Sequence, residues 1–217
     1  MAAKALNQIF TTYRYPLYSF LRIDGMKHED AEDVLQEFFA KLLRNDSLRT
    51  AEQDRGKLRT FLQGALSRFR INWHRDRQRA RGPESAESDL WDEEEARFQR
   101  EQHGTEENPE TFFDRRWAID LVHKAKGTLR EMYERKEKLP LHDTLAHTLA
   151  FEGVEHAPSQ AVLARQLGTT ENALRVTLSR FRADFRECLI EEVKLTVKDE
   201  SEVKDEIAYL VGLFERK

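Results

Sequence analysis

The N-terminal third of the chain contains three segments in which apolar residues recur three or four positions apart, as on one face of an α-helix. The first covers 5–21, where Pro16 is expected to kink or restart the helix. The second covers 31–42, and the third begins near 57 and reaches 73. Polar and turn-forming residues occupy 45–56. The pattern predicts three helices, with a loop between the second and the third.

The C-terminal half repeats the helical pattern and adds a more specific one. Amphipathic segments at 113–133 and 141–149 predict a long helix and a shorter one. Between 159 and 185, the small residue Ala164 and the turn-forming Gly168 have the spacing of a helix-turn-helix, in which two helices cross closely around a tight turn. This segment predicts a helical domain of a kind that binds DNA.

A carboxylate-rich stretch separates these two patterns. Residues 83–110 contain few apolar side chains apart from Trp91 and Phe98, and a segment that buries little apolar surface does not recover the entropy lost on ordering. We therefore predict a flexible acidic linker. The expected fold is all-α, with two small helical domains at 1–82 and 111–217.

The composition favours helices and bears on the cellular compartment of the protein. Hydrophobic residues make up 39% of the 217 residues, while glycine and proline are scarce, at 9 and 5. The single cysteine, Cys188, cannot form an internal disulfide, and no apolar run is long enough to cross a bilayer or to act as a signal sequence. We expect a cytoplasmic protein that does not insert into membranes.

The net charge of −4 argues against a nucleic-acid partner only as an average. Six arginines lie between 68 and 81, and carboxylates crowd 84–95 directly after them. Several of these arginines can share a helical face beside Trp73, whose ring is a candidate stacking surface for nucleic acid. A solvated helix end, or a basic pole that folds onto the acidic linker, is equally open. In the last case the linker would cover a DNA-binding surface.

The second helix of the predicted helix-turn-helix is rich in hydrogen-bond donors. Donors able to reach base edges and phosphates in a major groove are Asn172, Arg175, Ser179, Arg180 and Arg182. Thr170 is placed to cap this helix. An ordinary helical corner with solvated arginines is the alternative. The helix at 31–42 also has a polar face, for which solvation is the ordinary interpretation.

No segment predicts catalysis or a metal site. His142 and His147 flank Asp143 but are five residues apart, which does not place them on one helical face as a metal pair requires. The chain has no glycine-rich phosphate loop and no C-x-x-C or H-E-x-x-H motif. The carboxylates at 93–95 lie in the predicted linker and lack a rigid frame. We therefore expect no enzymatic activity, no cofactor and no metal.

Taken together, these segments resemble a known family. Residues 15–81, with GMKHEDAEDVLQEFFAKLL and GKLRTFLQGALSRFRINWHRDRQRAR, resemble the second conserved region of bacterial sigma factors, and 159–189 resemble the fourth. The D-x-x-Q-E motif of Asp33, Gln36 and Glu37 is the most specific part. The order of the regions, the acidic linker and the missing third region are similar to those of extracytoplasmic-function (ECF) sigma factors. The remaining C-terminal tail resembles an extension found in a subset of that group.

The resemblance implies a promoter-specificity subunit that binds core RNA polymerase, recognises the minus-ten and minus-thirty-five promoter elements, and assists DNA melting. Its implied partners are the β′ clamp helices and the β flap of the polymerase, with duplex and melted promoter DNA. Carboxylates complement the basic clamp helices, and the polymerase-contacting positions are Asp30, Asp33, Gln36, Glu37 and Lys41. The implied contacts with melted minus-ten DNA are Asp54, Arg55, Lys57, Arg59, Arg68, Asn72 and Arg75.

For the minus-thirty-five element, the resemblance implies two sets of contacts. Those facing bases are Arg175, Val176, Ser179 and Arg180, and those holding phosphates are Thr170, Asn172 and Arg182. Two minus-ten positions depart from the pattern of the group. Arg68 stands where the group usually has Asn, and Asn72 stands where it usually has Asp. The base preferred at the melted element therefore stays open.

Two other functions fit parts of the sequence. One is a stand-alone helix-turn-helix transcriptional regulator, and the other is a helical interaction protein without a DNA role. A stand-alone regulator has no need of the face formed by Asp33, Gln36 and Glu37, and it usually dimerises, whereas we expect a monomer in the free state. It stays open whether an anti-sigma factor or another regulator binds the chain.

Overall fold

The computed structural model describes residues 2–44, 58–77, 89–101, 108–149, 158–197 and 199–215. Their α-helices are Ala2–Ile23 (α1), His28–Arg44 (α2), Leu58–Arg77 (α3), Asp89–Glu101 (α4), Pro109–Arg135 (α5), Leu139–Leu145 (α6), Gln160–Gln166 (α7), Glu171–Lys194 (α8) and Val203–Glu215 (α9). Short 3-10 helices cover Ala146–Leu149 and Glu200–Glu202. No strand occurs among the described residues, which confirms the predicted all-α fold.

Contacts divide the chain into two compact units, which are described separately. Unit 1 comprises residues 1–120 with 196–198, and unit 2 comprises residues 121–195 with 199–217. The division falls after residue 120, whereas the sequence predicts a separation over 83–110. The difference arises because the chain beyond position 83 contributes helices to the first unit.

The core of unit 1 forms where α1, α2 and α3 pack against one another. Its fully buried leucines include Leu17 and Leu21 of α1, Leu35 of α2, and Leu62 and Leu66 of α3. All five belong to the apolar stripes predicted from the sequence. Full burial of a leucine side chain stabilises a fold by about 1.5–3 kcal/mol relative to exposure, so these stripes explain why the three helices associate.

Helix α1 continues through a proline and ends at a glycine. Pro16 lies inside the helix, which does not restart there. Gly25 has φ +90°, a conformation that costs glycine least. The N–H of Gly25 donates to the carbonyl of Arg22 at 3.1 Å, and the N–H of Met26 donates to that of Leu21 at 3.0 Å. This pair of bonds satisfies the last carbonyls of α1 and turns the chain toward α2.

The prediction of a flexible linker is wrong for residues 89–101, which form α4. Phe98 is 1% exposed, and its ring centroid lies 6.4 Å from that of Tyr18 on α1 and 6.3 Å from that of Phe112 on α5. One buried aromatic ring and several paired carboxylates hold this helix against the rest of unit 1, although its average composition is polar. The rest of the predicted linker, apart from its last residues, lies outside the described residues.

The core of unit 2 gathers residues from α5, α6, α7 and α8. Leu129, Leu145, Leu163, Leu174 and Phe181 are buried together in one cluster. Helix α9 packs on α8 and contributes its own buried apolar side chains, Val203, Leu210 and Leu213. These contacts fix the position of α8, which carries the exposed arginines.

Candidate nucleic-acid interface and docking face

The predicted helix-turn-helix is present in unit 2 as α7 and α8, joined by a glycine turn. Gly168 has φ +60°, and its N–H donates to the carbonyl of Arg165 at 3.1 Å. The N–H of Thr169 donates to the carbonyl of Ala164 at 2.9 Å. These are the two bonds that end a helix at a left-handed residue. A side chain at position 168 would be strained because its backbone conformation favours glycine.

Side-chain caps define where both helices begin. Ser159 Oγ accepts a hydrogen bond from the N–H of Val162 at 3.4 Å, and Thr170 Oγ1 accepts one from the N–H of Ala173 at 3.2 Å. Each cap satisfies a backbone donor that the helix itself leaves unpaired. The predicted cap at Thr170 is therefore confirmed. Its predicted contact with a phosphate remains a proposal.

Helix α8 buries one face and leaves the opposite face to solvent. Leu174, Leu178, Phe181 and Phe185 are buried. The residues that the sequence assigned to base and phosphate contacts are all exposed, namely Thr170, Asn172, Arg175, Val176, Ser179, Arg180 and Arg182.

Only some of these exposed residues share one groove. Arg175, Ser179 and Arg182 line it together with Gln160 of α7 and Arg186 farther along α8. The sequence interpretation missed Gln160 and Arg186. The spacing of 175, 179, 182 and 186, in steps of four, three and four, could have identified Arg186 because it follows one helical face. Arg180 and Val176 do not line the groove.

Two amides hold the side chain of Arg175, that of Gln160 in the groove and that of Asn172 outside its lining. Its Nε donates to Gln160 Oε1 at 3.4 Å, and its Nη1 donates to Asn172 Oδ1 at 3.3 Å. Arg182 and Arg186 form no ion pair within the described part of the chain. The groove therefore presents guanidinium groups that carboxylates do not neutralise, a property suited to an anionic partner.

Helix α2 in unit 1 carries the predicted docking face. Its apolar stripe is buried, while Gln36, Glu37 and Lys41 are exposed and Asp30 and Asp33 are partly exposed. Two of these side chains contact α3. Glu37 Oε1 accepts a hydrogen bond from the indole Nε1 of Trp73 at 3.3 Å, and Lys41 Nζ lies 5.3 Å from the ring centroid of Phe69.

Helix α3 exposes part of the predicted minus-ten set. Arg68, Asn72 and Arg75 are exposed, and Arg75 Nη2 donates to Asn72 Oδ1 at 3.1 Å. Ile71, between them in sequence, is 62% exposed. The predicted contacts Asp54, Arg55 and Lys57 lie outside the described residues.

The structure contradicts the predicted DNA contact of Arg59. This residue is 7% exposed and Asp114 is 8% exposed, and Arg59 Nη1 lies 2.6 Å from Asp114 Oδ1. The guanidinium carbon lies 5.2 Å from the ring centroid of Trp117. The family resemblance implied a contact with melted DNA at this position, but Asp114, 55 residues away, pairs with this arginine inside unit 1.

Two other side chains of α3, those of Trp73 and Arg70, are also less available to nucleic acid than the sequence predicted. Trp73 is 8% exposed, so its ring is not an open stacking surface for bases. Arg70 forms an ion pair with Asp24, which follows α1. The exposed basic surface of α3 is thus smaller than the arginine count implies.

The acidic helix α4 engages α1 rather than the arginine-rich α3. Glu94 pairs with Arg14. Glu95 accepts two hydrogen bonds from Arg22, from Nη2 at 2.8 Å and from Nε at 2.9 Å, and one from Tyr18 OH at 2.5 Å. These contacts contradict the hypothesis that this part of the acidic segment covers the arginines of α3.

The pKa values of the two neighbouring carboxylates, Glu94 and Glu95, shift in opposite directions. Burial raises the pKa of Glu94 above its usual range, and the attraction of Arg14 does not offset that effect. Burial also acts to raise the pKa of Glu95, but hydrogen bonds from Arg22, Tyr18 and Gln99 outweigh it and lower this pKa to about 2. The contacts of Glu95 with α1 therefore favour its ionised form.

The remaining chemistry-bearing residues occupy structural positions. His142 is buried, and its Nδ1 lies 2.9 Å from Asp143 Oδ1, with its ring against those of Tyr133 and Phe181. Cys188 is buried, and desolvation raises the pKa of its thiol. Over the described ranges, no group of three or more His, Cys, Asp or Glu side chains could hold a metal ion. Across the same ranges, no helix is both long and apolar enough to span a bilayer.

Comparison of the chain with protein-family models, with curated proteins and with solved structures finds no match. A functional assignment must therefore rest on the motifs of the sequence and on the surfaces described above.

Proposed function

We propose that this protein is an alternative sigma factor of the extracytoplasmic-function type. The observation that carries the proposal is the arrangement of α2, which buries its whole apolar stripe and leaves the polar side chains of the D-x-x-Q-E motif outside. Gln36 and Glu37 are exposed and Asp33 is partly exposed. A carboxylate-bearing helical face of this kind complements a basic coiled coil such as the β′ clamp helices of core polymerase.

The DNA-binding part of the proposal rests on two separate faces. In unit 1, α3 exposes Arg68, Asn72 and Arg75, whose donors suit phosphates and the edges of unpaired bases. In unit 2, α8 exposes its arginines in a helix-turn-helix, which suits the major groove of a duplex. These faces would serve the melted minus-ten element and the duplex minus-thirty-five element, respectively.

Several finer parts belong to the same proposal. Asp54, Arg55 and Lys57 would contact the melted strand, and the β flap would receive the helix-turn-helix unit, as the family resemblance implies. The protein would act in the cytoplasm, where core polymerase and the chromosome are found. Arg59 is left out of the proposed DNA contacts because it is buried with Asp114.

Run-off transcription with core polymerase on genomic DNA fragments tests this function directly. The parent chain should direct initiation at discrete sites, and Glu37→Lys should weaken core binding because it reverses charge on the docking face. Glu131→Lys, at an exposed position of α5, is the matched charge-reversal control and should bind core polymerase as the parent does. Circular dichroism of both variants checks folding.

Two results would overturn the proposal. The first is a parent chain that neither binds core polymerase nor directs initiation. The second is tight sequence-specific binding to duplex DNA without any effect of polymerase, which would favour a stand-alone helix-turn-helix regulator.

A further inference from the structure

The geometry points to a preset base-reading arginine in the groove of unit 2. We propose that Gln160 and Asn172 are positioning residues that hold the guanidinium of Arg175 for bidentate recognition of a guanine in duplex DNA. This inference rests on the proposed function, since it assumes that α8 enters a major groove. It gives a specificity role to Gln160, which the sequence interpretation passed over, and it changes the role of Asn172, which that interpretation assigned to phosphate.

The contacts of Arg175 leave the required donors available. A guanidinium has five N–H groups. The Nε–H donates to Gln160 Oε1 at 3.4 Å, and one Nη1–H donates to Asn172 Oδ1 at 3.3 Å. One donor on Nη1 and both on Nη2 remain. Two neighbouring donors are what the O6 and N7 atoms of guanine accept in the major groove.

The two amides act on a side chain that would otherwise be mobile. A free arginine on a helix surface samples many rotamers, and ordering it on binding has an entropic cost. Gln160 comes from α7 and Asn172 from the first turn of α8, so the guanidinium is tied to both helices of the motif. Gly168, with φ +60°, lies in the turn that joins those helices.

Other residues of the groove are better suited to the backbone of DNA. Arg182 and Arg186 line the same groove and are held by no carboxylate within the described part of the chain. Exposed guanidinium groups of this kind attract phosphates without reading sequence. The groove therefore contains one arginine held by amides and two exposed arginines without an ion pair among the described residues, and this difference can be measured.

The test uses the complete chain bound to core polymerase, with a duplex minus-thirty-five probe from the run-off experiment and all its single-base substitutions. Gln160→Leu should reduce discrimination at the same base pair that Arg175→Ala relaxes, by about three- to tenfold, the worth of one hydrogen bond. Its affinity for scrambled DNA and its salt dependence should match those of the parent. Gln166→Leu, at the other end of α7 and also exposed, is the control and should change neither quantity.

Two further variants test whether Gln160 acts through its hydrogen bond to Arg175 and not through the shape of its side chain. Gln160→Glu keeps an acceptor for Nε, so it should preserve the discrimination while weakening binding to all DNA through its negative charge. Adding Gln160→Leu to Arg175→Ala should cause no further loss, because the residue it positions is absent.

The outcomes distinguish this inference from the proposed function. If the parent discriminates among bases and Gln160→Leu keeps the same profile, or weakens binding to all sequences alike, the positioning role is overturned while the sigma-factor function stands. If the parent initiates transcription nowhere and shows no base preference, both are overturned. Unaltered circular dichroism spectra exclude misfolding as the cause of a changed profile.

Discussion

Two arginines of unit 1, Arg22 and Arg59, and two arginines of α8, Arg182 and Arg186, lie in opposite environments. In unit 1, Arg22 pairs with Glu95 and Arg59 with Asp114, carboxylates that are 73 and 55 residues away in sequence. On α8, Arg182 and Arg186 face solvent in a groove. A paired arginine stabilises the fold, whereas a solvated one is available to a partner. The local sequence does not separate the two classes, because the deciding carboxylates come from distant helices.

The largest effect of removing an arginine is expected at the buried Arg59–Asp114 pair of unit 1. Arg59→Ala should reduce the free energy of unfolding by about 3–5 kcal/mol, because it removes the guanidinium that compensates the buried carboxylate of Asp114. Urea denaturation of the complete chain measures this change. Arg182→Ala, which removes an arginine of the solvated class, is the matched control and should alter stability by less than about 0.5 kcal/mol.

A double replacement checks the explanation. Arg59→Met combined with Asp114→Leu removes both charges and keeps apolar volume, so it should recover most of the stability that Arg59→Ala loses. A loss in Arg59→Ala no larger than that in Arg182→Ala would place Arg59 in the solvated class and remove the distinction.

Sequence periodicity predicted the helices well because burial of an apolar stripe is a local pattern. The stripes of α1, α2 and α3, the turn at Gly168 and the cap at Thr170 all follow from spacings within one or two turns. Helix α4 was missed because its composition is polar. Its docking depends on Phe98 and on arginines of α1, which only the folded chain brings close.

The candidate site was predictable to the extent that exposure follows helical periodicity. The donors of α8 fall opposite its buried stripe, as expected. Trp73 ends the predicted apolar stripe of α3, so its burial agrees with that stripe and not with a stacking surface. The burial of Arg59 could not be predicted, because it depends on a contact made by Asp114 from another helix. The hold on Arg175 by Gln160 likewise crosses between helices.

The next largest effect is expected in DNA binding by α8. Arg175→Ala should relax preference at one base pair of the minus-thirty-five element by about 1–3 kcal/mol, and Arg180→Ala should act similarly at another if it also reads bases. Arg182→Ala should weaken binding to matched and scrambled sites alike and reduce the salt slope by about one. Affinities on single-base variants at two salt concentrations distinguish these results. Uniform losses for Arg175→Ala would make it a backbone contact.

A smaller effect on stability is expected at the two neighbouring carboxylates of α4, Glu94 and Glu95. Glu95→Gln should lower stability at pH 7 by about 1 kcal/mol, because it replaces an ionised acceptor of charged hydrogen bonds. Glu94→Gln should cost less, because burial already raises the pKa of Glu94.

The stability loss expected for Glu95→Gln depends on pH, because the fold lowers the pKa of Glu95. The folded-state pKa of Glu95 is about 2, below its usual value of 4.5, so its contribution is complete above pH 4.5 and is lost as the pH falls toward 2. Urea denaturation at pH 7 and at pH 3 should therefore show the deficit of Glu95→Gln narrowing at the lower pH. Equal losses for both glutamine variants at pH 7 would mean that α1 does not distinguish the two carboxylates.

The smallest effect is expected at the exposed ion pair between Lys194 and Glu191. Its length is close to that of the Arg59–Asp114 pair, so the two pairs differ mainly in burial. Lys194 Nζ lies 2.8 Å from Glu191 Oε1, close to the 2.6 Å of the Arg59–Asp114 pair. The side chain of Glu191 is 68% exposed, so water and salt screen its attraction to Lys194. Glu191→Gln should leave the melting temperature unchanged at low and high salt, whereas Asp114→Asn should lower it clearly, because it leaves Arg59 buried with a weaker partner. A similar decrease in both variants would show that pairing itself stabilises this protein, and burial would no longer explain why some of its arginines are structural and others are open to a partner.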